Sequence, residues 1–113
     1  MIHVSFWKVR PGQEERLRAW LMELNRREDE VRPTLVQEGV AHEMAFLVSC
    51  SDEPIMVLAS EAEDVEEALR ISAASTLPFD VEARQVMEEA TSGQVAAELM
   101  WQCLVVGVPQ GGD

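Results

Sequence analysis

The residues of this chain with chemistry to offer are two histidines and a few carboxylates set among apolar neighbours. His42 and Glu43 stand side by side in VAHEMAFLVSC, residues 40–50. A neutral imidazole exchanges protons near pH 7, and a carboxylate in apolar surroundings has its pKa raised toward that range. Acting on one substrate atom, the two would be an acid–base couple. The segment alternates as a strand does, however, and adjacent side chains on a strand point to opposite faces. The pair therefore cannot work together within one chain. Nor is it a metalloprotease helix motif, because Phe46 stands where the second histidine would be needed.

Taken singly, both remain candidate catalytic residues. His42 lies among Val40, Met44 and Phe46 and reads as buried, either as a neutral acid or base or as a core histidine with one hydrogen-bonded nitrogen. Glu43 sits between Ala41 and Ala45, whose small side chains leave room around a carboxylate. It is expected either to pair with an arginine or to carry a raised pKa on a face that lines a barrel.

A second set is proposed for ligand binding. His3, Ser5 and Trp7 share one face of the first strand, and Glu98, Trp101 and Gln102 fall on the last. Aromatic walls with a few polar groups suit a small-molecule pocket, and ordinary sheet packing is the competing reading. Asp80, with Arg84 one turn later, follows the break STLPFD and is placed either at the pocket mouth or, for Asp80, as a helix cap.

No metal site and no cofactor are predicted. His3 and His42 fall on strands separated by another, roughly 10 Å apart at the usual spacing, and no Cys/His cluster substitutes for them. Phosphate-binding glycine loops, a nucleophile elbow and nucleotide fingerprints are missing from the sequence. Cys50 and Cys103 lie in apolar strand-like segments and read as small buried hydrophobes. The six methionines read as core filler.

The elements that position these residues follow from the hydrophobic periods. IHVSFWKV alternates as a first strand, with Ile2, Val4 and Phe6 opposite His3, Ser5 and Trp7. From Gln13 the spacing is helical, with Leu17, Trp20, Leu21 and Leu24 on one side. Pro33 predicts a break near Val31-Arg32, and Gly39 a C-terminal cap. Residues 40–50 and IMVLAS form a predicted hairpin across the turn SDEP. A helix over Glu61–Ser75, another from Asp80 to about Ala90, and a last strand over VAAELMWQCLVV complete the chain, with a flexible tail after it.

The expected fold is therefore α+β: a ferredoxin-like βαββαβ domain over residues 1–106, with a four-stranded antiparallel sheet in the order 4-1-3-2. Because the strands carry apolar residues on both faces while helices cover only one, a homodimer is expected, packed sheet to sheet.

Length and charge bound the partners. A chain of 113 residues makes one domain. The net charge of −12 is uneven: residues 1–32 hold seven Lys/Arg against six acids, and the rest holds two arginines against fifteen acids. Such a surface repels phosphate backbones and anionic lipid, which argues against nucleic acid and membrane as partners. No apolar run approaches the roughly 20 residues of a membrane span, and MIHVSFWKVRPG lacks the pattern of a signal peptide, so a cytoplasmic protein is expected.

The stretches VSFWKVRPGQEERLRAWLMEL, GVAHEMAFLV and EDVEEALRISAASTLPFD resemble a family of small uncharacterised bacterial proteins. That family is similar in fold to the dimeric α+β barrels, which include antibiotic-biosynthesis-type monooxygenases, muconolactone-isomerase-like proteins and rhamnose mutarotases. The likeness spans about residues 2–105. It implies a dimer with a sheet-lined pocket but no single chemistry. It also implies a histidine near the position of Ala83, which this chain lacks. The expected function is binding of a small organic molecule, with proton transfer or cofactor-free oxidation. The alternative is a non-catalytic dimeric module that binds a metabolite or a protein.

Overall fold

A computed structural model describes residues 1–49 and 52–105. The elements are β1 (Ile2–Val9), α1 (Glu14–Leu24), α2 (Glu28–Glu38), β2 (Val40–Val48), β3 (Ile55–Ala62), α3 (Val65–Ala74), α4 (Pro78–Ala90) and β4 (Thr91–Val95). One antiparallel sheet in the order β2-β3-β1-β4 results. This is the expected ferredoxin-like α+β arrangement, with the expected strand order.

The helices cover the sheet face that carries Trp7, Val9, Leu47, Met56 and Leu58. Val9 and Met56 close a core with Leu17 of α1 and Ala90 of α4, and Leu21 and Met87 pack around it. His3 and Ser5 alternate onto this same face, because Trp7 and Val9 do. Ile2, Val4 and Phe6 take the open side. There Val4, Met44, Phe46 and Val48 are all exposed, with Phe46 at 49%.

Several boundaries differ from the sequence expectation. The first helical region breaks at Asn25–Arg27 rather than at Pro33, where Asn25 and Arg27 donate to carbonyls three residues back and tighten the turn. Pro33 lies within the second turn of α2, exposed, where its missing N–H costs one bond. Gly39 does close α2, at φ 75°, with its amide on Leu35 and Val36. Asp64 caps α3, accepting from the Glu67 amide at 3.0 Å, so that helix begins three residues after β3 ends.

The largest difference is at the end of the chain. β4 spans Thr91–Val95, directly after α4, and Ala96–Val105 has no regular structure. The predicted last strand shares only Val95 with the observed one. A bulge makes the early start possible: Lys8 pairs with Gly93 and Val9 with Thr91, leaving Ser92 extra, and Gly93 adopts φ 124°. Cys103 is exposed, not buried. Cys50, Ser51 of the SDEP turn and the tail from residue 106 lie outside the described residues.

Candidate functional site

The sheet register sets a polar row on the helix-facing side. Ser60 of β3 stands between His3 of β1 and Glu43 of β2, each directly opposite it. Its hydroxyl donates to Glu43 Oε2 at 3.0 Å. Above this end of the sheet, α2 supplies Thr34 and Glu38, and the start of α4 supplies Asp80. Thr34 and Asp80 are buried.

These groups share protons. Thr34 Oγ1 lies 2.5 and 2.6 Å from the two Asp80 carboxylate oxygens and 2.9 Å from Glu38 Oε2. A hydroxyl has one proton and can donate it to one carboxylate only. The second contact holds when the other carboxyl brings its own proton, and Glu38 is suited to do so. Burial pushes the Glu38 pKa up, against the Thr34 hydrogen bond, and the Asp80 and Glu43 charges push the same way. Ser75 adds a donor to Asp80 at 2.5 Å and itself accepts from Gln37 Nε2 at 3.1 Å and from the Leu77 amide.

Glu43 is raised as well. The first cause is desolvation, opposed by the Ser60 hydroxyl and reinforced by the Asp80 charge. Much of the residue still meets solvent, so water moderates the shift while protein crowding around the carboxyl sets its direction. Among the described residues, Glu38, Glu43 and Asp80 form no ion pair. The arginines are spent elsewhere: Arg27 holds Glu30 and Glu82, Arg16 holds Glu89, Arg32 holds Glu28 and Arg70 holds Glu67. The arrangement is a set of three facing carboxyls with raised proton affinity at two, one of them open to solvent. Such a group holds a proton to higher pH than an ordinary surface carboxylate and can pass it on.

The structure sends the sequence-predicted residues to different places. Glu43 and Asp80 belong to this cluster. Asp80 lies in the first turn of α4 but does not cap it, since Pro78 leads the helix after Leu77 and the Asp80 side chain turns to Thr34 and Ser75. Arg84 donates to the carbonyls of Ser72 and Ser75 at 2.8 and 2.6 Å, holding the end of α3 rather than a pocket mouth. His3 and Ser5 line a cleft of about 380 Å³ with Phe6, Gln94, Val95 and Ala96, beside the point where β4 leaves β1. The Trp7 indole donates to Ser5 Oγ at 2.9 Å and packs on the core.

Two expectations are corrected. His42 is exposed on the open face beside Glu61, because that face has no cover. It is separated from Glu43 by the sheet, as alternation required. A bulge at Ala41 also turns Val40 toward buried Ala62, so Val40 and His42 do not share a face. Trp101 is 79% exposed and joins neither His3 nor Trp7.

Ser60, Glu38, Thr34 and Ser75 were not foreseen. Ser60 ends an apolar run at the position opposite Glu43, which hairpin register can reveal. Thr34 gives only a weak signal, a hydroxyl directly after Pro33 on a helix that looked broken there. Among the described residues, no group of three His, Cys, Asp or Glu is placed to hold a metal, and no helix is long and apolar enough to cross a membrane.

Residues 2–109 match a family of unknown function (DUF6176). No curated protein and no solved structure matches the chain.

Proposed function

The chain belongs to this family of unknown function, and from its own geometry we propose that it is a homodimer that binds a small organic molecule against the Glu43–Ser60 pair. Glu43 exchanges a proton with that ligand. The observation that carries this reading is a carboxyl that keeps solvent contact, has a raised pKa, and has a hydroxyl rather than a cation as its partner. A surface glutamate ordinarily needs no such setting. A structural one would be paired, as Glu30 and Glu82 are by Arg27.

The protonated Glu43 carboxyl donates to an oxygen or nitrogen of the ligand, and its ionised form takes a proton back. Ser60 orients it. Glu38, through Thr34 and Asp80, holds a second proton close by without being consumed by a salt bridge. His3 lies on the other side of Ser60, at the end of the same polar row. Cofactor-free proton transfer is the chemistry that such a set supports. His42 has no part in it, being across the sheet.

Dimerisation is supported by the apolar open face, where Val4, Met44, Phe46 and Val48 would otherwise be wet. A pair of copies that cover one another's sheet faces is the kind of assembly formed by the dimeric α+β barrels that the chain resembles. The alternative, a dimeric module without catalysis, gains support from the separation of His42 and Glu43, which leaves no acid–base couple.

Native mass spectrometry of the freshly purified full chain tests the reading. The expected spectrum is a dimer with an adduct of small-molecule mass, and loss of that adduct in Glu43→Gln. An adduct retained equally in the variant, or none in the native protein, would count against Glu43 as the binding group.

A further inference from the structure

We propose that residues 96–105 are a dimerisation arm, whose apolar side chains lie on the open sheet face of a second copy of this chain. The inference rests on the dimer reading above and names the segment that completes it.

The segment AAELMWQCLV is mostly apolar, yet no described residue of its own chain covers it. Leu99, Met100, Trp101, Leu104 and Val105 are between 68% and 84% exposed. Soluble proteins rarely leave such a run in water. The first explanation to try is that it belongs on its own sheet as a longer β4. The register limits that. β4 pairs Trp7 with Gln94 and Phe6 with Val95. Continued in step, Ser5 would meet Ala96, Ile2 would meet Leu99, and Met1 would meet Met100. There β1 ends. In that register Trp101–Val105 would project past the sheet, roughly 17 Å of extended chain at the usual rise per residue, with no strand among the described residues to join.

Folding back is no better a solution. From Gln94 to Val106 the sequence has no glycine or proline, the residues a tight reversal onto its own sheet would use. The arm's apolar side chains are left facing solvent. The five exposed apolar residues offer on the order of 700 Å² of surface, close to the roughly 800 Å² that each partner contributes to a standard interface.

The chain itself displays a matching surface. Its open sheet face presents Val4, Met44, Phe46 and Val48, all exposed. Every copy thus carries one apolar arm and one apolar face. A twofold axis lets each arm cover the other copy's face, so both surfaces are buried at once and the contact closes at two copies. Arm and face are both short of charge, which suits the centre of an interface: Glu98 is the one acidic or basic side chain of the arm charged at neutral pH, and on the face His42 and Glu61 stand at one end and Lys8 at the other.

The test uses the full chain in three forms: native, Trp101→Glu with Leu104→Glu, and Phe46→Glu. Size-exclusion chromatography with light scattering reads the mass, and far-ultraviolet circular dichroism checks that each variant keeps its fold. The native protein should be a dimer. Each variant should weaken the dimer by at least about 100-fold, the scale of losing central aromatic and aliphatic anchors. Amide hydrogen exchange at Trp101–Val105 of the native chain should be slow at dimer concentrations and fast on dilution. A native dimer broken by Phe46→Glu but untouched by the arm variant, with fast exchange along the arm, would overturn the arm and leave the dimer reading standing. A native monomer would overturn both.

Discussion

Thr34 shows how much of the site turns on single protons. Its hydroxyl lies within hydrogen-bonding distance of both Asp80 and Glu38 but has one proton to give. Replacing it by valine keeps the shape and removes the donor, leaving buried Asp80 with Ser75 alone. The expected cost is about 2 kcal/mol, roughly 8 °C in melting temperature; Thr34→Ser should recover most of it, and an unchanged melting point for Thr34→Val would show that the hydroxyl is not structural. At this scale the sequence was partly legible. Alternation correctly separates His42 from Glu43, because it depends only on backbone period. It does not say which face the helices cover, and so His42 reads as buried although it is exposed. The Glu43–Ser60 contact joins residues 17 positions apart, and needs the hairpin register rather than the local pattern.

Elements were legible wherever a local signal marks their ends. Gly39 closes α2 in the left-handed region, as a glycine after a helical run suggests. Pro33 misled, since α2 carries it on an exposed side in its second turn at the loss of one backbone hydrogen bond, while the actual break is held by Arg27. That side chain bonds Glu30 and Glu82 and lies about 5.5 Å over the Trp20 and Phe79 rings. No local pattern reveals a residue that ties the turn after α1 to α4. β4 misled differently: the most strand-like stretch, ELMWQCLVV, is left over, and TSGQV pairs with β1 through a bulge at Ser92. Its apolar character finds no place on its own sheet, which is why the proposed arm assigns it to a second copy. The cap on α3 gives a clean test at this scale. Asp64→Ala removes the acceptor for the Glu67 amide and should cost about 1 kcal/mol, or roughly 4 °C by thermal melting followed in the far ultraviolet. No change would mean that water replaces the cap without loss.

At the scale of the molecule, one sheet separates two tasks. Its helix side holds the core and, toward one end, carboxyls without cations; its open side is apolar and suited to a second copy. The arginines concentrate in the first third of the chain and pair with exposed glutamates of the helices, where each pair contributes little on its own. None is left for Glu38 or Glu43 among the described residues. The consequence for the whole fold is a stability that depends on pH in a definite direction. A carboxyl whose folded pKa is raised binds its proton more tightly in the folded chain. Its contribution is therefore fully present below the unfolded value, about 4.3, and is lost as pH rises through the folded value. Glu43 and Glu38 both act in this sense. The most direct test of the central claim, that Glu43 retains its proton unusually well, needs no ligand: melting temperature against pH for the native chain and for Glu43→Gln. The two curves should coincide below about pH 4. By pH 7 the glutamine variant should melt about 2 °C higher, a modest gap because water reaches the carboxyl. A native chain as stable as the variant at pH 7, or more so, would contradict the account and return Glu43 to the ordinary surface carboxylates.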